Sequence, residues 1–337
     1  MFEQPRHKLA HHTESWLLIP TMLLIGLFVG LRYEVGADWS TYVLHFLLIS
    51  PIKLNEIPMM GDPGYVLFNW LASRLGGDVW LVNLACAALF SWGLLAFVKA
   101  QPRPWLALVI AVPYLIIVVA MGYTRQGVAI GLAMRGLVAL GGERSNLRFV
   151  FWVLAAATFH KSAVVLIPIS ALAEDRGRLW TACWVGVATI LGYFTLLGKS
   201  VDQLMYTYVQ RGYDSDGAFI RVAMNALPAL LLLLFWQKFN LRAEEKRLWF
   251  ILALLALATV PALYLSPSTT AVDRVGLYLL PLQLVVLSRV PDTFAWSEGA
   301  ARFLGLLVVI YSAVVQFAWL NYSSHADAWL PYQISPL

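Results

Sequence analysis

The sequence predicts an all-α polytopic membrane protein of about ten to eleven transmembrane segments, including a broken or re-entrant helix pair, and three observations predict it. Of 337 residues, 60% are hydrophobic and 13% charged, whereas an ordinary soluble domain carries roughly 25% charged residues. The mean hydropathy is +0.71. The apolar residues fall in blocks of about 17 to 22 along the whole chain, and about 20 residues carry an α-helix across the hydrocarbon core.

The elements follow in order. The basic opening stretch MFEQPRHKLAHHTES leads into an apolar block at 16–31 with no small-residue cleavage site, so a retained first helix is expected in place of a removed signal. Between Arg32 and Asp78 lie two weaker pieces, YVLHFLLI and YVLFNWLASRL. Each is too short to span and rich in aromatics, which predicts interfacial helices against the outer leaflet over 32–78. Spans are predicted at 79–98, 105–121, 123–140, 179–197, 218–236, 248–265, 272–287 and 303–320, with an outer loop at 198–217. Residues 1–337 form a single membrane domain, and Cys86 and Cys183, both inside apolar blocks, read as small packing residues.

Block 147–173 is longer than one span and shorter than two, and FHKS interrupts it. Its neighbours decide the reading. The basic segments KAQPRP, ERSNLR, EDRGR and QKFNLRAEEKR belong on the cytoplasmic side under the positive-inside rule. All four share a side only if 147–173 enters and returns, as two half-helices with His160 and Lys161 near the tip. One long tilted helix with a buried ion is the alternative.

With that topology nine cations fall on the outer side: Arg32, Lys53, Arg74, Arg125, Lys161, Lys199, Arg211, Arg221 and Arg274. Several sit at helix ends, at the membrane boundary. Guanidiniums there suit a phosphate or pyrophosphate, because they offer planar bidentate donors and stay charged when desolvated. The expected ligand is a lipid-linked anion approached from the bilayer. The basic residues are scattered, which argues against nucleic acid, and no His, Asp and Cys cluster has metal-ligand spacing, so neither metal nor cofactor is expected. Arg32 can alternatively anchor a helix end at headgroups, and Arg135 is expected to snorkel from its helix. Asp273 and Arg274 can form a local ion pair or orient a phosphate. Tyr213, in DQLMYTYVQRGYDSDG, can stack on a sugar ring or belong to an interfacial belt.

Five segments carry a resemblance: LRYEVGADWSTY, DPGYVLFNWL, TRQGVAIGLA, FHKSAVVLIP and, more weakly, DRVGLY. In order and spacing over about residues 30–170 the first four resemble the EpsG family, a branch of the Wzy-type polymerases of bacterial exopolysaccharide and O-antigen, and past Ala173 the resemblance is mainly hydropathy, with DRVGLY as an anchor. The resemblance implies a metal-independent glycosyltransferase with a GT-C-like fold. It would join undecaprenyl-pyrophosphate-linked oligosaccharides at the outer face of the inner membrane, with membrane lipid and a chain-length regulator as further partners. In that reading Arg125, Arg32 and Arg274 clamp pyrophosphate, with Lys161 and Arg211 behind them and Gln126, Tyr213 and Asp273 helping to bind substrate. His160 is the first choice for the group that activates the acceptor hydroxyl and Asp38 the second, since a carboxylate ringed by arginines makes a weak base. A polymer ligase using the same donor and a lipid-linked saccharide transporter remain open as alternatives.

Overall fold

The computed structural model describes residues 15–142, 144–173, 183, 185–187, 189–190, 215 and 217–335. Most of the expected span 179–197 and most of the loop 198–217, with Arg211 and Tyr213, lie outside the described residues. Within them the chain is an all-α polytopic membrane protein. Helix α1 is Leu18–Gly30, α2 Trp39–Ile49, α3 Pro63–Arg74, α4 Val79–Lys99, α5 Pro104–Ala111 and α6 Thr124–Gly141. There follow α7 Asn146–Phe159, α8 Ile167–Ala173, α9 Ala218–Leu234, α10 Ala243–Leu265, α11 Thr269–Gly276, α12 Leu280–Phe294 and α13 Glu298–Tyr322. Among the described residues four helical runs are long and apolar enough to cross a membrane: Val79–Lys99, Glu245–Leu265, Thr269–Phe294 and Glu298–Tyr322.

Local chemistry sets the starts. Ser145, Ser268 and Ser297 each accept a hydrogen bond from the backbone N–H three residues on, satisfying a donor the first turn leaves open. Asp78 accepts from the N–H of the next residue, Val79. The block read as a plain span at 105–121 is instead α5 followed by a π-helical run, Val112–Ala120. Pro113 sits at its start and has no N–H to give, so the ladder there cannot keep its α register.

Packing separates lipid-facing from protein-facing helices. Phe303, Leu306, Ile310, Val314 and Phe317 of α13 are all exposed, an apolar face that belongs in hydrocarbon. Helices α4 and α6 lie in the core and cross at Gly93 and Gly131. A Cβ on Gly93 would stand 2.0 Å from the Gly131 carbonyl oxygen, so this approach of two backbones requires glycine. Arg135, farther along α6, does not snorkel. Its guanidinium lies over the indoles of Trp92 and Trp152, 4.4 and 5.6 Å from the ring centroids.

The long block breaks where its polar residues stand. His160 takes an extended conformation (φ −152°, ψ 109°) and ends α7. A 3-10 turn, Lys161–Leu166, then leads into α8, which packs back against α7 and against α10. At about 1.5 Å per residue α7 is about 21 Å long, too short to cross a core of about 30 Å alone. The pair is a broken hairpin, not one tilted helix.

Hydrogen bonds tie the two ends of the bundle separately. At one, Arg103 grips Asp292 through Nε and Nη2 (3.0 and 2.6 Å), Arg289 donates to Gln101 (2.7 Å), and Glu245 pairs with Arg242. At the other, Arg32–Tyr33 (β1) pairs antiparallel with Gln333–Ile334 (β2), Arg32 opposite Ile334. Trp329 closes the C-terminal strap by donating to the Ile117 carbonyl (2.8 Å).

Candidate functional site at the strap end of the bundle

The five motif segments, far apart in sequence, meet at this end. Asp62 of DPGYV joins three of them. It accepts from Arg125 Nη1 at 3.1 Å and from the backbone N–H of Lys161, so it holds TRQ and the tip of the hairpin together. Gly64 lets α3 come this close: a Cβ there would stand 2.5 Å from Thr158 Oγ1. Asp62 stands at an N-cap position yet makes no cap hydrogen bond, because its carboxylate is committed across the site. Burial pushes its pKa above the ordinary carboxylate value, against the pull of Arg125 and Lys161.

The fifth segment, DRVGLY, closes the opposite wall. Gln126, 1% exposed, donates from Nε2 to the Arg274 carbonyl (2.6 Å) and accepts from Arg274 Nη1 (3.2 Å). The Arg274 guanidinium also lies 4.2 Å from the centre of the Tyr123 ring. His160 lies within electrostatic reach of both Arg125 and Arg274. Its Nδ1 is 2.6 Å from Ser162 Oγ, which is 3.2 Å from the hydroxyl of Tyr278. That chain fixes the ring and leaves Nε2 as its other polar atom. Arg125 and Arg274 therefore both act on one imidazole, and Lys161, next to it in the chain, lies against Asp62.

Other expected site residues fall elsewhere. Arg32 is 0% exposed and points inward. It donates to the carbonyls of Val35 (3.3 Å) and Val29 (2.7 Å), to Asn83 Oδ1 (3.1 Å) and to Thr124 Oγ1 (2.6 Å). Its place is behind the site, bracing the first residue of α6, and a ligand cannot touch it. Asp273 pairs with Arg221, not with neighbouring Arg274, and accepts from Ser215 Oγ at 3.2 Å. With 5% exposure it is committed to that pair. Asp38 is half-buried and near Tyr42, Tyr123 and Arg125. Lys53 and Arg74 stand apart from the cluster, where Arg74 donates to the Ile52 carbonyl (3.1 Å) and lies over Trp70.

Sequence reasoning missed Asp62, Ser162, Tyr123 and Tyr278. A signal for Asp62 existed: it is the acid of a motif whose partners are basic. Behind Arg125 lie Tyr42, Tyr65 and His45, packed ring to ring. Burial, with Arg125 close by, pulls His45 down to about 4, so it is neutral at physiological pH. Among the described residues no group of three or more His, Cys, Asp or Glu is arranged to hold a metal ion.

The arrangement can hold an anion on two guanidiniums and an ammonium, beside an imidazole that can take or give a proton. No curated protein and no solved structure matches the chain. The family model for the EpsG family matches residues 15–334, so the match runs beyond the motif-rich first half through DRVGLY to the strap. The chain belongs to the EpsG family, which gives it a polymerase-like role in polysaccharide biosynthesis.

Proposed function

We propose that the protein is a polysaccharide polymerase. It joins undecaprenyl-pyrophosphate-linked oligosaccharide repeat units at the periplasmic face of the bacterial inner membrane, without a metal, as a glycosyltransferase of the GT-C type. The observation that carries this reading is the gathering of Arg125 and Arg274 about His160, with Lys161 beside it in the chain and against Asp62, at one end of a membrane bundle. A glycosyl transfer from a lipid pyrophosphate needs cations for the leaving group and a base for the attacking hydroxyl. Both stand here in one place.

In the reaction, the acceptor hydroxyl of the incoming repeat unit attacks the anomeric carbon of the growing chain. The new C–O bond forms as the bond to the pyrophosphate breaks, and both bonding electrons leave with the pyrophosphate. Arg125 and Arg274 hold that developing charge, and Lys161 adds a third positive centre. The hydroxyl proton passes to His160 Nε2, in the tautomer that donates Nδ1–H to Ser162, with the bound pyrophosphate offsetting the guanidiniums that otherwise disfavour an imidazolium. Gln126 orients Arg274, and Asp62 orients Arg125 and the hairpin tip.

A reconstituted reaction with purified protein and lipid-linked repeat units tests the reading. Wild type should convert single repeats into a ladder of longer products. His160→Ala should slow the ladder by about 100- to 10,000-fold, the usual worth of a positioned general base. Persistence of single repeats with the wild-type protein would remove the polymerase reading.

A further inference from the structure

A groove of about 430 Å³ lies between the 3-10 turn and α8 on one side and helices α10 and α11 on the other. That volume is within the roughly 300 to 1,000 Å³ of small-molecule sites. Its walls are apolar: Ile169 of α8, Leu255, Ala258 and Ala262 of α10, and Val272 and Val275 of α11. Among the described residues only two polar side chains reach it. Thr259 spends its hydroxyl on the Ala256 carbonyl (2.6 Å), and Tyr278 turns its hydroxyl to Ser162. Tyr278 is thus both a wall of the groove and the end of the chain that fixes His160, and Arg274 lies one helical turn before it. An apolar channel and a cationic cluster share a wall, so the groove fits an amphiphile whose anionic head rests at Arg274.

We infer that this groove holds the first isoprene units of the substrate's polyprenyl chain, counted from the pyrophosphate, and so measures only the near part of the lipid. The inference rests on the polymerase reading and adds a lipid subsite to it. A methylene is close in size to a water's share of liquid volume, roughly 30 Å³, so the groove takes on the order of three isoprene units. A polyprenyl chain fits better than a diacyl phospholipid. The molecule that fills the groove must also bring a pyrophosphate to Arg274 and a sugar to His160, and a phospholipid seated there would keep that substrate out.

The full chain in nanodiscs would be photolabelled with a polyprenyl pyrophosphate bearing a diazirine on its third isoprene. A parallel sample would carry a phosphatidylglycerol with a diazirine on one acyl chain. The polyprenyl probe should label residues 255–279, and Ala258→Trp and Ala262→Trp should each cut that labelling at least tenfold. Both alanines face the groove and not the core, and an unchanged melting temperature checks that each variant is folded. Equal labelling by phosphatidylglycerol, labelling elsewhere on the chain, or full labelling of both folded variants would overturn the inference. Groove labelling by a protein that makes no polymer would support the lipid subsite while removing the polymerase reading.

Discussion

Arg32 and Arg125 carry the same side chain, and both stand at helix ends on the same side of the bundle, yet their surroundings give them different work. The side chain of Arg125 is 38% exposed and has a carboxylate partner in Asp62. Arg32 is wholly buried, with no carboxylate partner among the described residues. Taking such a cation out of water costs several kcal/mol, which its four hydrogen bonds to neutral acceptors offset. The two should therefore separate by experiment. Arg125→Ala and Arg125→Lys should insert normally and lose no more than the roughly 1 to 3 kcal/mol of stability that an unpaired buried Asp62 costs, yet lose about 3 to 4 kcal/mol of transition-state stabilisation, or 100- to 1000-fold in polymer formation at equal folded protein. Lys cannot reproduce a bidentate grip on phosphate. Arg32→Lys should leave buried acceptors unpaired and lose about 1 to 3 kcal/mol of stability, read as a lower melting temperature in detergent, with activity falling only as the folded fraction falls. Wild-type ladders from Arg125→Ala would make it a structural arginine. The sequence marked both arginines and could not tell them apart, because the acceptors that bury Arg32 lie 51 and 92 residues away.

Among the elements, the broken hairpin was the most legible. An apolar block of the wrong length with a polar interruption can fold in few ways, and the break falls at His160 as the FHKS interruption implies. The π-helical run was less legible, since Pro113 announces a fault in the ladder without saying how the backbone repairs it. The contact between α3 and the hairpin was not legible at all, for Gly64 reads as an ordinary residue after proline until Thr158 is found against it. That contact yields a prediction. Gly64→Ala should push the hairpin tip from Asp62 and lower polymer formation. The double variant Gly64→Ala, Thr158→Ala removes the atom at 2.5 Å and should recover part of the loss, though the Phe159 ring at 3.1 Å keeps the recovery incomplete. Equal activity of Gly64→Ala and wild type in the reconstituted reaction would mean that the tip tolerates displacement.

At the scale of the whole molecule, the strap, the site and the opposite ion-pair network together fix which loops share a side. Pairing of Arg32–Tyr33 with Gln333–Ile334 puts the end of α13 beside the end of α1. Asp62 and Arg125 place the hairpin tip at that same end. Gly141, at the close of α6, lies 3.2 Å from Glu245 when given a Cβ, and Arg289 ties the end of α12 to the Gln101 turn. Three of the four basic loops read from the sequence therefore stand together at the end away from the site, and the fourth, EDRGR, lies outside the described residues. The proposed orientation, which follows the positive-inside rule, puts that end in the cytoplasm and the site in the periplasm. Single cysteines in a Cys86→Ser, Cys183→Ser background test the assignment. Trp296→Cys, on a turn 87% exposed beside the Arg103 and Asp292 pair, should resist a membrane-impermeant maleimide in spheroplasts and react only after lysis. Ser324→Cys, exposed at the base of the strap, should react in intact spheroplasts. Reaction at Trp296→Cys before lysis, with Ser324→Cys protected, would turn the bundle over. The cationic site would then face the cytoplasm, where it could not meet repeat units already carried across the membrane.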